Sequence, residues 1–312
     1  MGSEQRLSAP GSDGAPAEGA ATRPRVGYLG PEGTFTEEAL LASVVAGSVE
    51  PRPLSTIYDA VTALRNGEVD WTIVPIENSL DGSVSVTLDL LAGEASDVKI
   101  VAEALLLVRH SLIAAEMLDL DEIDAVLSHP QVPGQCSVFL RSALPHARIL
   151  AASSTAEAVR TVARENRRGQ AALGTALAAR IYGGTVIREA VQDRDDNVTR
   201  FVWLARASAD PALARPPLRA PVEGGWKTSL VFWGAGADRP GWLLRCLDEF
   251  ARRDINLTKI ESRPRRERLG SYMFFADLSG RLEEGPVADA IAGVRAVCEE
   301  VRVLGSYQAQ EA

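Results

Sequence analysis

From Arg25 onward short apolar runs alternate with stretches of helical periodicity, and turns rich in Gly, Ser, Thr, Asn and His separate them. Val26 to Leu29 reads as a buried strand; Gly30, Pro31 and Gly33 turn the chain into a helix starting at Phe35. Thr34 with Glu37 three residues later is a capping box, a sequence signature of a helix start. A second helix is expected from about Thr56 to Arg65, and the strand Trp71 to Ile76 ends in Glu77, Asn78, Ser79, Asp81 and Gly82 before a helix near Ser85 to Leu91. The run Val98 to Val108 is long enough for a strand that crosses between lobes. Ala125 to Ser128 then leads into His129, Pro130, Gln131, Pro133 and Gly134 and a helix through Leu140. Arg148 to Ala151 leads into Ser153, Ser154 and Thr155, with Ser154 and Glu157 as a second capping box, and Ala171 to Leu173 leads into Gly174 and Thr175. Val186 to Val191 and a charged loop follow.

Five strand-to-helix turns of this kind predict a mainly parallel sheet, or a pair of sheets, with the turns at the strand C-terminal edges. Ligands of such folds bind outside those edges. Helix N-termini carry unpaired N–H groups and partial positive charge, so converging ones suit a substrate with more than one carboxylate. The long central strand predicts two lobes with a cleft between them.

The stretch Asp196 to Leu204, DNVTRFVWL, stands apart. Val198 and Phe201 to Leu204 read as a buried strand, yet Asn197, Thr199 and Arg200 crowd its entry. A strand beginning in a turn explains this as well as a functional site does. Alternation puts Thr199 with Asn197 and Phe201 on one face and Arg200 on the other.

Residues 1–24 are rich in Gly, Ala, Ser and Pro and are expected to be a disordered tail. Residues 207–225, with Pro211, Pro216, Pro217 and Pro221, read as a linker between a 25–206 catalytic region and a 226–306 module. That module spells βαββαβ, the ferredoxin-like order: strand from Lys227, helix from Trp242, strands from Asn256 and Ser271, helix from Pro286 and strand from Val301. A second copy of a module this small would add stability.

Composition narrows the function. A net charge of −9 and a pI near 5.1 exclude a broad nucleic-acid surface, although a pocket can still be locally positive. No run approaches a membrane span and no signal peptide is visible, so the cytoplasm is the expected location. Cys136, Cys246 and Cys298 are too sparse for a disulfide framework or a zinc site. Asp193, Asp195 and Asp196 lack calcium-loop spacing, no G-x-S-x-G elbow supports a triad, and no G-x-G-x-x-G follows a strand. What remains are polar clusters at strand ends: Thr34 and Thr36; Glu77, Asn78 and Ser79; His129 and Gln131; Ser153 to Thr155; and Asn197 to Arg200. Each alone is more often a helix cap. Together they offer hydrogen-bond donors, one or two acids and no strong nucleophile.

The runs GPEGTFTEEA (30–39), PIENSLDGSV (75–84), SHPQVPGQC (128–136), SSTAEAV (153–159) and DNVTRF (196–201), in this order, resemble the successive motifs of prephenate dehydratases. INLTKIESRP (255–264) resembles part of their regulatory ACT domain. The resemblance implies an α/β fold: a two-lobed catalytic region like a type II periplasmic binding protein, then a ferredoxin-like ACT domain. It also implies decarboxylating dehydration of prephenate to phenylpyruvate in phenylalanine biosynthesis, without metal or organic cofactor, in a homodimer or homotetramer that takes L-phenylalanine as effector. It maps the catalytic threonine onto Thr199, whose hydroxyl would bond the leaving hydroxyl directly or relay a proton from a neighbour. Glu77 is the expected acid or orienting carboxylate. Thr34, Asn78, Ser79, His129, Gln131, Ser154, Thr155, Asn197, Arg200 and Phe201 are the expected substrate-binding set, with Arg200 either a carboxylate ligand or a brace. Pro240, Gly241, Leu243, Asn256, Leu257, Glu261, Ser262, Arg263 and Pro264 are the expected phenylalanine site. Two departures stand out: Val132, Pro133 and Gly134 after His129–Gln131, and Trp242 where the family has a small residue, which would fill or alter that pocket. Arogenate as substrate, or a non-catalytic ligand sensor, are the alternative readings.

Overall fold

The computed structural model describes residues 23–208, 215–219, 224–234 and 239–310. Strand β1 (Arg25–Leu29) ends near Gly33, whose φ of 83° turns the chain into α1 (Phe35–Ser43). Thr34 caps that helix by accepting the Glu37 N–H, but the Glu37 carboxylate takes the Gly33 N–H instead of closing the expected box. Sequence pattern does not reveal β2 (Glu50–Leu54), because EPRPL has no apolar alternation; its prolines suit an edge strand paired only with β1. Next come α2 (Ile57–Arg65), β3 (Trp71–Asn78), the short β4 (Gly82–Ser83), α3 (Ser85–Ala92) and β5 (Val98–Leu107).

The second lobe holds β6 (Ser111–Ala114), β7 (Ala125–Ser128), α4 (Val132–Gln135), α5 (Ser137–Ala143), β8 (Arg148–Ala151), α6 (Thr155–Glu165), β9 (Gln170–Gly174), α7 (Ala176–Tyr182) and β10 (Thr185–Arg188). Its sheet runs β10-β6-β9-β7-β8, and the chain then returns to the first lobe as β11 (Val198–Arg206). Two expectations are corrected here. Strand β5 does not cross between lobes: it pairs with β11 throughout, and the crossing falls between Leu107 and Ser111. Nor are the sheets mainly parallel, since β11 lies antiparallel between β3 and β5, and β6 lies antiparallel between β9 and β10.

The C-terminal module comprises β12 (Trp226–Trp233), α8 (Trp242–Ala251), β13 (Leu257–Pro264), β14 (Tyr272–Ser279), α9 (Gly285–Val297) and β15 (Glu300–Gln308), the βαββαβ order read from sequence. Its antiparallel sheet, β13-β14-β12-β15, buries Leu230, Phe232 and Leu278 under α8 and α9. The opposite face presents Val231, Phe275 and Tyr307 to Ile100 and Leu204 of the first lobe. Strand β15 also meets β5 at one parallel pair, Gly305 and Ile100, so the two sheets merge into one of ten strands. A Cβ on Gly305 would lie 2.1 Å from the Ile100 carbonyl oxygen, so glycine is required for this approach.

Part of the expected linker is docked: Leu218 bridges Val44, and the Arg219 N–H donates to the Ser43 carbonyl at 2.8 Å. Residues 1–22 of the expected tail, and Pro211 and Pro221 of the linker, lie outside the described residues.

Candidate active site

A cleft of about 610 Å³ opens between the lobes. Thr34, Asn78, Asn197 and Thr199 line it on one side, and His129, Gln131, Ser154 and Thr155 on the other. The lining includes residues at the N-terminal ends of α1, α4 and α6, and no Lys or Arg side chain among the described residues. An anion entering this cleft would meet neutral donors and helix N-termini rather than a cationic side chain.

A connected hydrogen-bond chain runs along one wall. The Asn78 carbonyl accepts the N–H groups of Leu80 and Asp81, both at 2.9 Å, which fixes the amide so that its Nδ2 donates. That Nδ2 bonds Thr199 Oγ1 at 2.9 Å and Asn197 Oδ1 at 2.7 Å. Asn197 Nδ2 donates to Gln135 Oε1 at 3.2 Å, and Gln135 Nε2 donates across the lobes to Asp81 at 3.0 Å. Gln135 Oε1 also faces His110 Nε2 at 3.0 Å, which assigns the proton of that ring to Nε2. His110 is 1% exposed, packs edge-on against Phe35 and has no partner at Nδ1 among the described residues. Burial holds its pKa below the usual value even though the Gln135 bond opposes the shift. With its oxygen already accepting from Asn78, the Thr199 hydroxyl proton is free to point into the cleft.

Not every expected residue faces that space. Glu77, the expected acid, lies outside the cleft lining; its carboxylate contacts Lys259 at 3.1 Å and Arg200 at 3.4 Å. The cause is strand alternation, because Glu77 precedes Asn78 on β3 and opposes Arg200 across the ladder. Arg200 is likewise turned from the cleft, with Nε on Glu103 at 2.7 Å, one terminal nitrogen on Asp277 at 2.6 Å and the other on the Tyr307 hydroxyl at 2.6 Å. These contacts have the geometry of the brace, and Arg200 is not among the residues lining the cleft. Burial alone would lower its pKa, but Tyr307, Asp277 and Glu103 outweigh it and keep the guanidinium charged. Phe201 is buried with Tyr28 and Ile73 in the core beneath the site. Ser79 ties β3 to β11, its hydroxyl accepting the Val198 N–H at 3.0 Å.

Sequence reasoning missed Gln135, His110 and Asp81. Gln135 carried a signal, being four residues after Gln131 and so on the same face of one helical turn. His110 carried none, since a histidine ending an apolar run is usually a core residue.

The expected effector residues divide between environments. Leu243 and Leu257 pack into the core under α8 and α9, while Gly241, with a φ of 79°, precedes α8 next to Pro240. The Asn256 carbonyl accepts the Ser279 N–H, and Ser262 pairs with Phe274 in the sheet. Glu261 and Arg263 turn to the first lobe, where Ser83 donates to Glu261 and Arg263 bonds Asp89 at 2.9 Å. Pro264 borders a second cavity of about 470 Å³ with Trp233 and Met273. Trp242, expected to fill or alter a ligand pocket, is 3% exposed and packs on Phe232 and Phe274, its indole N–H on the Val297 carbonyl.

Comparison with known proteins bears on this geometry. The prephenate dehydratase family model matches residues 26–209. A prephenate dehydratase of Amycolatopsis methanolica is 41% identical over 284 residues, 91% of this chain and 88% of that protein. The solved structure of a prephenate dehydratase in complex with L-Phe from Arthrobacter aurescens superposes with a TM-score of 0.79 at 35% identity, covering 91% of this chain and 90% of that one. GqqA, described as a novel type of quorum quenching acylase, superposes at 0.78 with 26% identity, covering 92% and 98%. The family match and the identity over most of both lengths agree with the motif order, and the chain belongs to the prephenate dehydratase family.

Proposed function

We infer that the protein is a prephenate dehydratase in which Thr199 bonds the departing C4 hydroxyl. The observation that carries this is the Asn78 amide on Thr199 Oγ1, which leaves the threonine proton for a ligand in the cleft. Prephenate loses CO2 and hydroxide together and gains an aromatic ring, so the barrier lies chiefly in expelling a poor leaving group. A positioned donor there is worth ~10²- to 10⁴-fold. The lack of Lys and Arg in the lining, among the described residues, matters equally: a ring carboxylate gripped by a guanidinium would be stabilised in the ground state, yet it must surrender its charge as CO2 leaves. Ser154, Thr155, His129 and Gln131 are the donors assigned to the two carboxylates, within a two-lobed clamp of the periplasmic-binding-protein kind; the Thr34 hydroxyl already donates to the Leu29 carbonyl at 2.9 Å.

The C-terminal module is proposed to be an ACT domain that takes L-phenylalanine, and the enzyme to be a cytoplasmic homodimer or homotetramer. The Amycolatopsis and Arthrobacter dehydratases, at 41% and 35% identity against 26% for the acylase, favour this chemistry over acyl transfer. Purified protein incubated with prephenate and, separately, with arogenate discriminates the readings: phenylpyruvate from prephenate is expected. Phenylalanine formed only from arogenate would reassign the substrate, and no turnover of either by folded protein would contradict the enzyme reading.

A further inference from the structure

We infer that Asp277 and Tyr307 of the C-terminal module are positioning residues for Thr199, acting through Arg200; this rests on the dehydratase reading above. Arg200 follows Thr199 on β11 with its side chain on the opposite face, so a tilt of the strand that moves the guanidinium also moves the hydroxyl. The β3 ladder does not hold that tilt by itself. Arg200 opposes Glu77 and Phe201 opposes Pro75, leaving Ile76 as an extra residue at this point.

What fixes Arg200 comes from both sides of the domain junction. Glu103 on β5 takes Nε, while Asp277 on β14 and Tyr307 on β15 take the two terminal nitrogens. Ser229 on β12 holds both module ligands, donating to Asp277 at 2.5 Å and bonding the Tyr307 hydroxyl at 2.7 Å. Lys227, also on β12, contacts Glu103 at 2.9 Å. Arg200 faces Asp277 at 2.6 Å, Glu103 at 2.7 Å and Glu77 at 3.4 Å, so neutralising Asp277 removes the shortest of three carboxylate contacts from a guanidinium in a poorly solvated setting. Docking alone does not need this cluster. The module is also tied down by Arg302 on the Ala92 carbonyl at 2.6 Å and by Arg263 on Asp89 at 2.9 Å. The cluster thus gives the module a grip on the residue next to Thr199, and any displacement of β14 or β15 reaches the hydroxyl through it.

Steady-state kinetics of the full chain on prephenate, with thermal melts alongside, test the assignment in Asp277→Asn, Tyr307→Phe and Arg302→Ala. Asp277→Asn is expected to lower kcat about tenfold or more with KM changed less than about threefold, and Tyr307→Phe to lower kcat by a smaller factor without a large change in melting temperature. Arg302→Ala, which loosens the junction away from Arg200, is expected to keep wild-type kcat. Wild-type kcat in Tyr307→Phe and in folded Asp277→Asn would overturn the coupling, as would an equal loss in Arg302→Ala. Absence of prephenate turnover by the wild type would overturn the dehydratase reading and this one with it, whereas active wild type with indifferent variants overturns only the coupling.

Discussion

Thr199 and Arg200 are neighbours whose side chains serve opposite faces of one strand, and each face has its own chemistry. The motif in sequence marked both residues as functional, and alternation separated them. It left open what lay on the Arg200 side, because Asp277 and Tyr307 come from strands far along the chain. Glu77 was misplaced for the same reason: as the ladder partner of Arg200 it shares that face and joins the ion cluster. His110 supplies a prediction at this scale. Its folded pKa lies below the usual 6.5, so on acidification the unfolded chain takes up the proton first. Its stabilising contribution is complete above about pH 6.5 and declines below it. Melting temperature followed from pH 7 to about pH 5, above most carboxylate titrations, should fall less steeply in His110→Asn than in wild type; parallel curves would contradict the assignment. Trp242→Ala should cost ~3–5 kcal/mol of stability, because the indole is buried in the module core and donates to the Val297 carbonyl. A melt close to wild type would contradict that packing role.

At the level of elements, much of the architecture was legible, because apolar runs followed by capped helices leave a strong periodic signal. The βαββαβ order and the two lobes were readable in this way. Sheet direction was not, since a run of Val and Leu looks the same whether its neighbour is parallel or antiparallel. Nor was β2, an edge strand with two prolines, or the merging of two sheets at Gly305. Gly305→Ala tests that junction. Its Cβ would meet the Ile100 carbonyl oxygen at 2.1 Å, so β15 must back away from β5. A loss of ~1–3 kcal/mol in chemical denaturation is expected, as for overpacking elsewhere. An unchanged midpoint would mean the strands part without cost.

Across the whole molecule, the cleft lies between lobes that Gln135 and Asp81 bridge, and the C-terminal module sits behind β11. If that module is an ACT domain, L-phenylalanine should raise the melting temperature, by an amount corresponding to ~2.7 kcal/mol at a hundredfold excess over its Kd. An unchanged melt at millimolar ligand would remove the effector from the account. The central claim concerns the cleft itself, where one hydroxyl, oriented by one amide, meets the leaving group. The most direct measurement is phenylpyruvate formation from prephenate by wild type, Thr199→Ser and Thr199→Ala, each shown to be folded. Thr199→Ser should retain most of the activity, and Thr199→Ala should lose roughly 10²-fold or more in kcat; near wild-type turnover by Thr199→Ala would contradict the account.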